Sequence, residues 1–258
     1  MLLGRKMRVF RATDYNIYIW LDRWRPVMPL LFNLGEAMGR VDSRLALTRF
    51  DDQSFNWSLA NGGELVTRLV EAFLEVRGDA IDVNSFNAVF DTEVGIDLVT
   101  VIRLLPGNDV RMSVANVRFN LEHTQDEEAP LSYNRLFELF SMFITLAQPE
   151  HAEVMHYPPI TETWYEELRV SIDLTQVPIT IQWLNYFNWE WVDRLGGKRK
   201  MQQIPEGEVI EVPSGMILVM QHDPFSYQNP EHVAGQRRLD KYFRLAKLHR
   251  RYRKPLSV

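Results

Sequence analysis

The chain has 258 residues, 46% of them apolar and 24% charged, with a net charge of −5. This is the composition of a folded globular protein and excludes intrinsic disorder, while the absence of cysteine excludes disulfides, thiolate metal sites and thiol nucleophiles. Charge is unevenly spread: from Arg237 onward there are nine Lys or Arg and one acid, against 20 basic and 33 acidic residues before it, a net of −13.

The N-terminal segment MLLGRKMRVFRATDYNIYIWL is interrupted by Arg5, Lys6, Arg8 and Arg11 and has no apolar core of a signal peptide. No stretch approaches the roughly 18 apolar residues of a membrane span, so a cytoplasmic protein is expected. KMRVFRA and YNIYIWL read as two strands about Thr13-Asp14. From Pro26, the spacing of Val27, Leu30, Leu31, Leu34 and Met38 predicts a helix ending near Gly39, and RLALTRF then reads as a strand. Residues 63–77 form an amphipathic pattern with Leu65, Leu69, Val70, Phe73 and Leu74 on one face.

GIDLVTVIRLL and VRMSVANVRFNLEH, joined by Pro106-Gly107-Asn108-Asp109, read as a hairpin with a phase slip at Ala115-Asn116. A charged loop, TQDEEAP, precedes an apolar helix over 131–147 that Pro149 ends. The proline-rich stretch near 149–160 is the one candidate join in what otherwise reads as a single domain over 1–258, with a short helix from about Thr161. ITIQWLNYF is a strand in which Trp183, Asn185 and Phe187 share one face and Leu184 and Tyr186 the other. A short helix over 188–195 follows, closed by a left-handed cap at Gly196 or Gly197. EGEVIEVPSGMILVMQH reads strand, turn, strand, and Pro230 opens a last helix reaching about Arg250. This irregular alternation with antiparallel hairpins predicts an α+β fold: an antiparallel or mixed sheet with helices packed on it.

Motifs of catalysis are sparse. Neither G-x-S-x-G nor S-x-x-K occurs, and Gly196-Gly197-Lys198 lacks the remaining residues of a phosphate-binding loop. In HAEVMH, His151 and His156 are five apart with Glu153 between, which does not match the i, i+4 spacing of a zinc helix. Glu122-His123 and His222-Asp223 are adjacent pairs whose side chains diverge on a strand. No metal or cofactor is expected. The acidic cluster Glu122, Asp126, Glu127 and Glu128 could meet a basic groove on a partner.

The order of pieces from Ile179 to about Phe243 resembles the bacterial polymorphic-toxin immunity proteins of class 52 and related type VI secretion immunity families. The residues that carry it are Trp183, Asn185 and Tyr186, then Leu195, Gly196, Gly197 and Lys198, then Pro213 and Gly215, then Pro230, Glu231, His232, Arg237 and Leu239. The resemblance implies a non-enzymatic protein that binds and neutralises a cognate secreted toxin, typically a nuclease, with no direct contact to nucleic acid or membrane. Glu122, Asp126, Glu127 and Glu128, with Trp189 and Trp191 as aromatic anchors, are the expected partner-binding residues. Two rival readings are a metal-dependent hydrolase using the scattered histidines and acids, and a nucleic-acid-binding module led by the basic tail.

Overall fold

The computed structural model describes residues 14–50, 53–54, 62–77, 85–106, 109–156, 167–168, 171–174 and 176–254. A long strand β1 (Asp14–Pro26) leads into helix α1 (Val27–Val41), a 3-10 turn at Ser43–Leu45, β2 (Leu47–Phe50), β3 (Gln53–Ser54) and α2 (Gly62–Arg77). There follow β4 (Phe86–Thr92), β5 (Asp97–Leu105), β6 (Asp109–Asn120), a second 3-10 turn at Leu121–His123, α3 (Tyr133–Ala147) and β7 (His151–His156). The chain continues through β8 (Leu184–Asn188), α4 (Trp189–Arg194), α5 (Lys198–Met201), β9 (Glu208–Val212), β10 (Gly215–Val219), α6 (Pro230–Phe243) and α7 (Leu245–Arg251).

The ten strands among the described residues join one antiparallel sheet in the order β3-β2-β4-β5-β6-β1-β7-β8-β10-β9. The protein is therefore α+β, as the hairpin-rich pattern predicts. β7 lies within the proline-rich stretch yet pairs with β1 on one side and β8 on the other, so the sheet runs through this region unbroken. The N-terminal half of the expected first hairpin and the helix expected near Thr161 lie outside the described residues.

Side-chain alternation gives the sheet two distinct faces. On the first, Tyr15, Ile17 and Ile19 of β1, Ala152 and Val154 of β7 and Val117 and Phe119 of β6 join the main apolar core with α1, α2 and α3. Leu34 and Met38 of α1 and Leu136, Phe140 and Phe143 of α3 are buried in that core, matching their helical spacing. Leu74, expected on the buried face of α2, is 53% exposed, and Ala72 takes a buried place beside Phe73. On the second face, Met155 and Tyr18 form a smaller cluster with Ile172, Val177 and Ile179 and with Leu248 and Tyr252.

Several boundaries differ from the sequence reading, beginning with the strand expected over ITIQWLNYF, of which only Leu184–Phe187 belong to β8. The β5–β6 register slips at Ser113, since Val101 pairs with Val114 but Ile102 with Met112. The extra residue moves the core positions from Val110 and Met112 to Ala115, Val117 and Phe119, so Val114 faces away. The first two residues of the expected strand RLALTRF, Arg44 and Leu45, belong instead to the 3-10 turn Ser43–Leu45, because the Asp42 carboxylate accepts from the Arg44 N–H at 2.9 Å and caps it. The last helix is broken at Arg244, which adopts a left-handed conformation at φ 58°, ψ 41° between α6 and α7.

The Gly196-Gly197 cap forms as expected. Gly196 N–H donates to Asp193 O at 3.1 Å and Gly197 N–H to Val192 O at 2.9 Å, both glycines at positive φ. This pair of bonds is a Schellman ending, which satisfies carbonyls that the short helix α4 would otherwise leave bare.

Candidate functional site

The acidic loop follows β6 and is held from inside. Asn120 Oδ1 accepts from the Glu122 N–H at 2.9 Å, and His123 Nδ1 accepts from the Asn120 N–H at 3.1 Å, a reciprocal cap. With Nδ1 an acceptor, the proton sits on Nε2, which donates to Val94 O at 3.1 Å. Burial lowers the His123 pKa and favours this neutral form. Leu131 N–H donates to His123 O at 2.8 Å and closes the loop.

Two arginines fasten the loop from outside. Arg44 donates to Glu128 O at 2.8 Å, and Arg135 donates to Ala129 O at 2.8 Å and Glu127 O at 3.2 Å. Asp42 pairs with both guanidiniums, at 2.6 and 3.5 Å, and the hydrogen bonds from Arg44 hold its carboxyl well down, at about 2. The arginines thus bind main-chain carbonyls while Asp42 offsets their charge. The side chains of Glu122, Asp126, Glu127 and Glu128 all stay exposed.

The two tryptophans of the expected interface part company. Trp191 is 1% exposed and lies in an aromatic stack, 4.6 Å from the ring of His151 and 5.9 Å from Phe187, with Trp20 5.1 Å from His151 on the neighbouring strand. It is a core residue, because the first turn of α4 folds back over the sheet. Trp189 is 36% exposed, donates from Nε1 to Pro213 O at 3.0 Å and lies under Lys198 Nζ at 5.9 Å. The acidic loop leaves β6 where Asn120 pairs with Asp14, whereas Trp189 follows β8 beyond the row of Trp20, His151 and Phe187. Six residues of β1 separate these rows, roughly 20 Å at about 3.3 Å per residue. The acidic loop and Trp189 therefore sit at opposite ends of the strands.

Strand geometry also rearranges the histidines. On β7, His151 and Glu153 share the second face of the sheet with Nε2 and Oε2 3.6 Å apart, while His156 points to the first face and stacks on Tyr15 at 4.8 Å. The 3.6 Å separation is too long for a hydrogen bond. Burial pushes the Glu153 carboxyl up to about 8 and the His151 imidazole down to about 3, so at neutral pH the two face each other uncharged. Across the same face run Asn16 and Asn116, with the Arg118–Asp97 ion pair at 3.2 Å, and neither side-chain atom of Asn16 has a hydrogen-bond partner among the described residues. No group of three or more His, Asp or Glu able to hold a metal occurs among the described residues, and no helix among them is long and apolar enough to cross a membrane.

The i, i+2 relation of His151 and Glu153 was open to reading once HAEVMH is taken as a strand. Its lack of polar alternation hid that, since both faces of β7 are buried. A scan against models of known protein families finds no match to this chain, and a search of curated proteins finds none either.

Proposed function

We propose that this protein acts by surface fit to another polypeptide, as an immunity protein that binds and neutralises a secreted toxin whose basic nucleic-acid groove meets the acidic loop. The observation that carries the reading is the fastening of that loop. Four exposed carboxylates stand on a backbone whose carbonyls at Glu127, Glu128 and Ala129 already accept from Arg44 and Arg135 and whose N–H groups at Asn120 and Glu122 are held by the Asn120–His123 cap, so little ordering remains to oppose binding. A preformed patch of one sign raises the rate of encounter with a partner of the other sign and specifies its orientation. The resemblance of residues 179–243 to immunity families supports the same class of function, and Trp189 belongs to a second, separate contact or to none.

The test has two levels. Co-expression with a secreted nuclease encoded beside this gene should give a complex that co-purifies and should rescue the cell from that nuclease; failure of both with every adjacent candidate sinks the proposal. Within a complex, the quadruple change Glu122→Lys, Asp126→Lys, Glu127→Lys, Glu128→Lys should slow association about tenfold or more at low ionic strength with an unchanged Tm. An unaltered rate and affinity would remove the loop from the interface.

A further inference from the structure

Four cations converge in an open groove of about 800 Å³ between α5 and the junction of α6 with α7, within the roughly 300–1,000 Å³ range of small-molecule sites. Lys200, Arg238, Lys241 and Arg244 line it, with Tyr242 and Pro205 as its apolar walls.

Local structure brings these charges together. Lys200 Nζ donates to Leu195 O at 3.0 Å and lies 5.4 Å from the ring centroid of Tyr242. Gly196 makes that path possible: a Cβ there would stand 2.5 Å from Lys200 Cδ. Tyr242 in turn donates its hydroxyl to Lys200 O at 2.8 Å and ties α5 to α6. The left-handed turn at Arg244 brings a second cation near Lys200, whose ammonium is disfavoured first by burial and then by the charge of Arg244.

Of the four, Arg238 is neutralised by both oxygens of Glu206, at 2.6 and 2.8 Å. Lys200, Lys241 and Arg244 have no carboxylate at ion-pair distance among the described residues. Arg244 holds the left-handed cap position at the end of α6, where glycine is usual, and this sets its guanidinium beside Lys200 with no carboxylate at ion-pair distance from either among the described residues.

We propose that this groove binds a compact polyphosphate anion, with Arg244 and Lys241 on the phosphate oxygens, Lys200 as a supporting charge and Tyr242 as the wall. A polyphosphate concentrates several negative charges on adjacent oxygens and matches the forked donors of an arginine, whereas a single carboxylate leaves most of the groove uncompensated. The anion is independent of toxin binding. A free pyrophosphate compound and a polynucleotide backbone share this chemistry, and the measurement separates them.

Titration of the full-length protein with inorganic pyrophosphate at low ionic strength, followed by calorimetry and by Tm, should show one saturable site and a rise in Tm. Arg244→Gly removes the guanidinium while a glycine takes up the left-handed turn without strain, and Lys241→Ala changes an exposed side chain. Neither variant should lower the Tm of the free protein, and each should weaken binding about tenfold. The double change Arg250→Ala, Arg251→Ala in α7 should leave binding intact. Absence of binding at about 1 mM pyrophosphate overturns the proposal. So does binding that Arg244→Gly and Lys241→Ala leave unchanged, which is an adventitious ion only. Retention of a single-stranded oligonucleotide without pyrophosphate binding also overturns it and assigns the groove to a nucleic-acid backbone.

Discussion

His151 and Glu153 are two buried titratable groups displaced in opposite directions, and the consequence for stability can be worked out with its sign. Glu153, raised from 4.5 to about 8 in the fold, keeps its proton where the unfolded chain has lost it. Its contribution is therefore full below pH 4.5 and is lost as pH rises to about 8. His151, lowered from 6.5 to about 3, stays neutral where the unfolded chain takes up a proton, so its contribution is full above pH 6.5 and is lost as pH falls to about 3. The two slopes oppose each other between pH 4.5 and 6.5, and the pair favours folding most across that interval. Glu153→Gln, which has no proton to lose, should flatten the alkaline limb of a stability–pH profile measured by urea unfolding. It should raise stability at pH 8 relative to the parent by up to about 4 kcal/mol, the cost accumulated between pH 4.5 and 8 at about 1.4 kcal/mol per pKa unit. His151→Gln should flatten the acid limb alone. An alkaline limb that persists in Glu153→Gln would show that Glu153 ionises normally in the fold.

At the scale of elements, helix α6 grips an extended segment that is not itself a strand. Gln236 and Asp240, one turn apart, take both polar groups of Ile181: Gln236 Nε2 donates to Ile181 O at 2.8 Å, and Ile181 N–H donates to the Asp240 carboxylate at 2.7 Å. Thr180 Oγ1 donates to the same carboxylate at 2.6 Å. Asp240→Ala leaves the Ile181 N–H and the Thr180 hydroxyl buried without partners, at about 1–3 kcal/mol for each such group, and a lower midpoint in denaturant should report it. Gln236→Ala should be less than additive with it, because both changes release the same segment. Where β10 crosses the end of β8, a Cβ on Gly215 would stand 2.1 Å from Phe187 O. Gly215→Ala should lower stability by about 1–3 kcal/mol, the usual cost of overfilling a packed site, and a Tm unchanged from the parent would contradict this contact. These two sites also mark what the sequence could and could not say. The turn Pro213-Ser214-Gly215 and the helix opening at Pro230 are legible because turn chemistry and 3.6-residue periodicity are local. β4 escapes because Asn87 and Asp91, residues rare in strands, lower its strand propensity, although they fall on the face opposite Phe86, Ala88 and Phe90. The break at Arg244 escapes because arginine carries no local signal for a left-handed turn. The acidic loop was visible as charge, but its fastening by Arg44, 84 residues from Glu128, belongs to tertiary structure alone.

The molecule as a whole is organised about its first described strand. β1 stands at the middle of the sheet, with Tyr15 paired to Phe119 on one side and His156 on the other. The Tyr15 hydroxyl donates to Phe225 O at 2.8 Å across 210 residues of sequence. Neither the strands before residue 150 nor those after it form a sheet with both neighbours of β1 present, so neither half buries the core that α1 and α3 share with β1, β7 and β8. Such long-range pairing makes folding slow, since loop closure precedes most of the stabilising contacts. It also makes unfolding collective. Thermal unfolding should therefore be one transition, with an enthalpy of roughly 180 kcal/mol from about 0.7 kcal/mol per residue near 60 °C and a calorimetric to van't Hoff ratio near unity. Tyr15→Phe, which removes the hydrogen bond from the central strand to the C-terminal region, costs about 1 kcal/mol and should shift that transition downward without splitting it. Two resolved transitions, in the parent or the variant, would mean that the strands on either side of β1 are stable apart, and that the central strand joins two units instead of founding one.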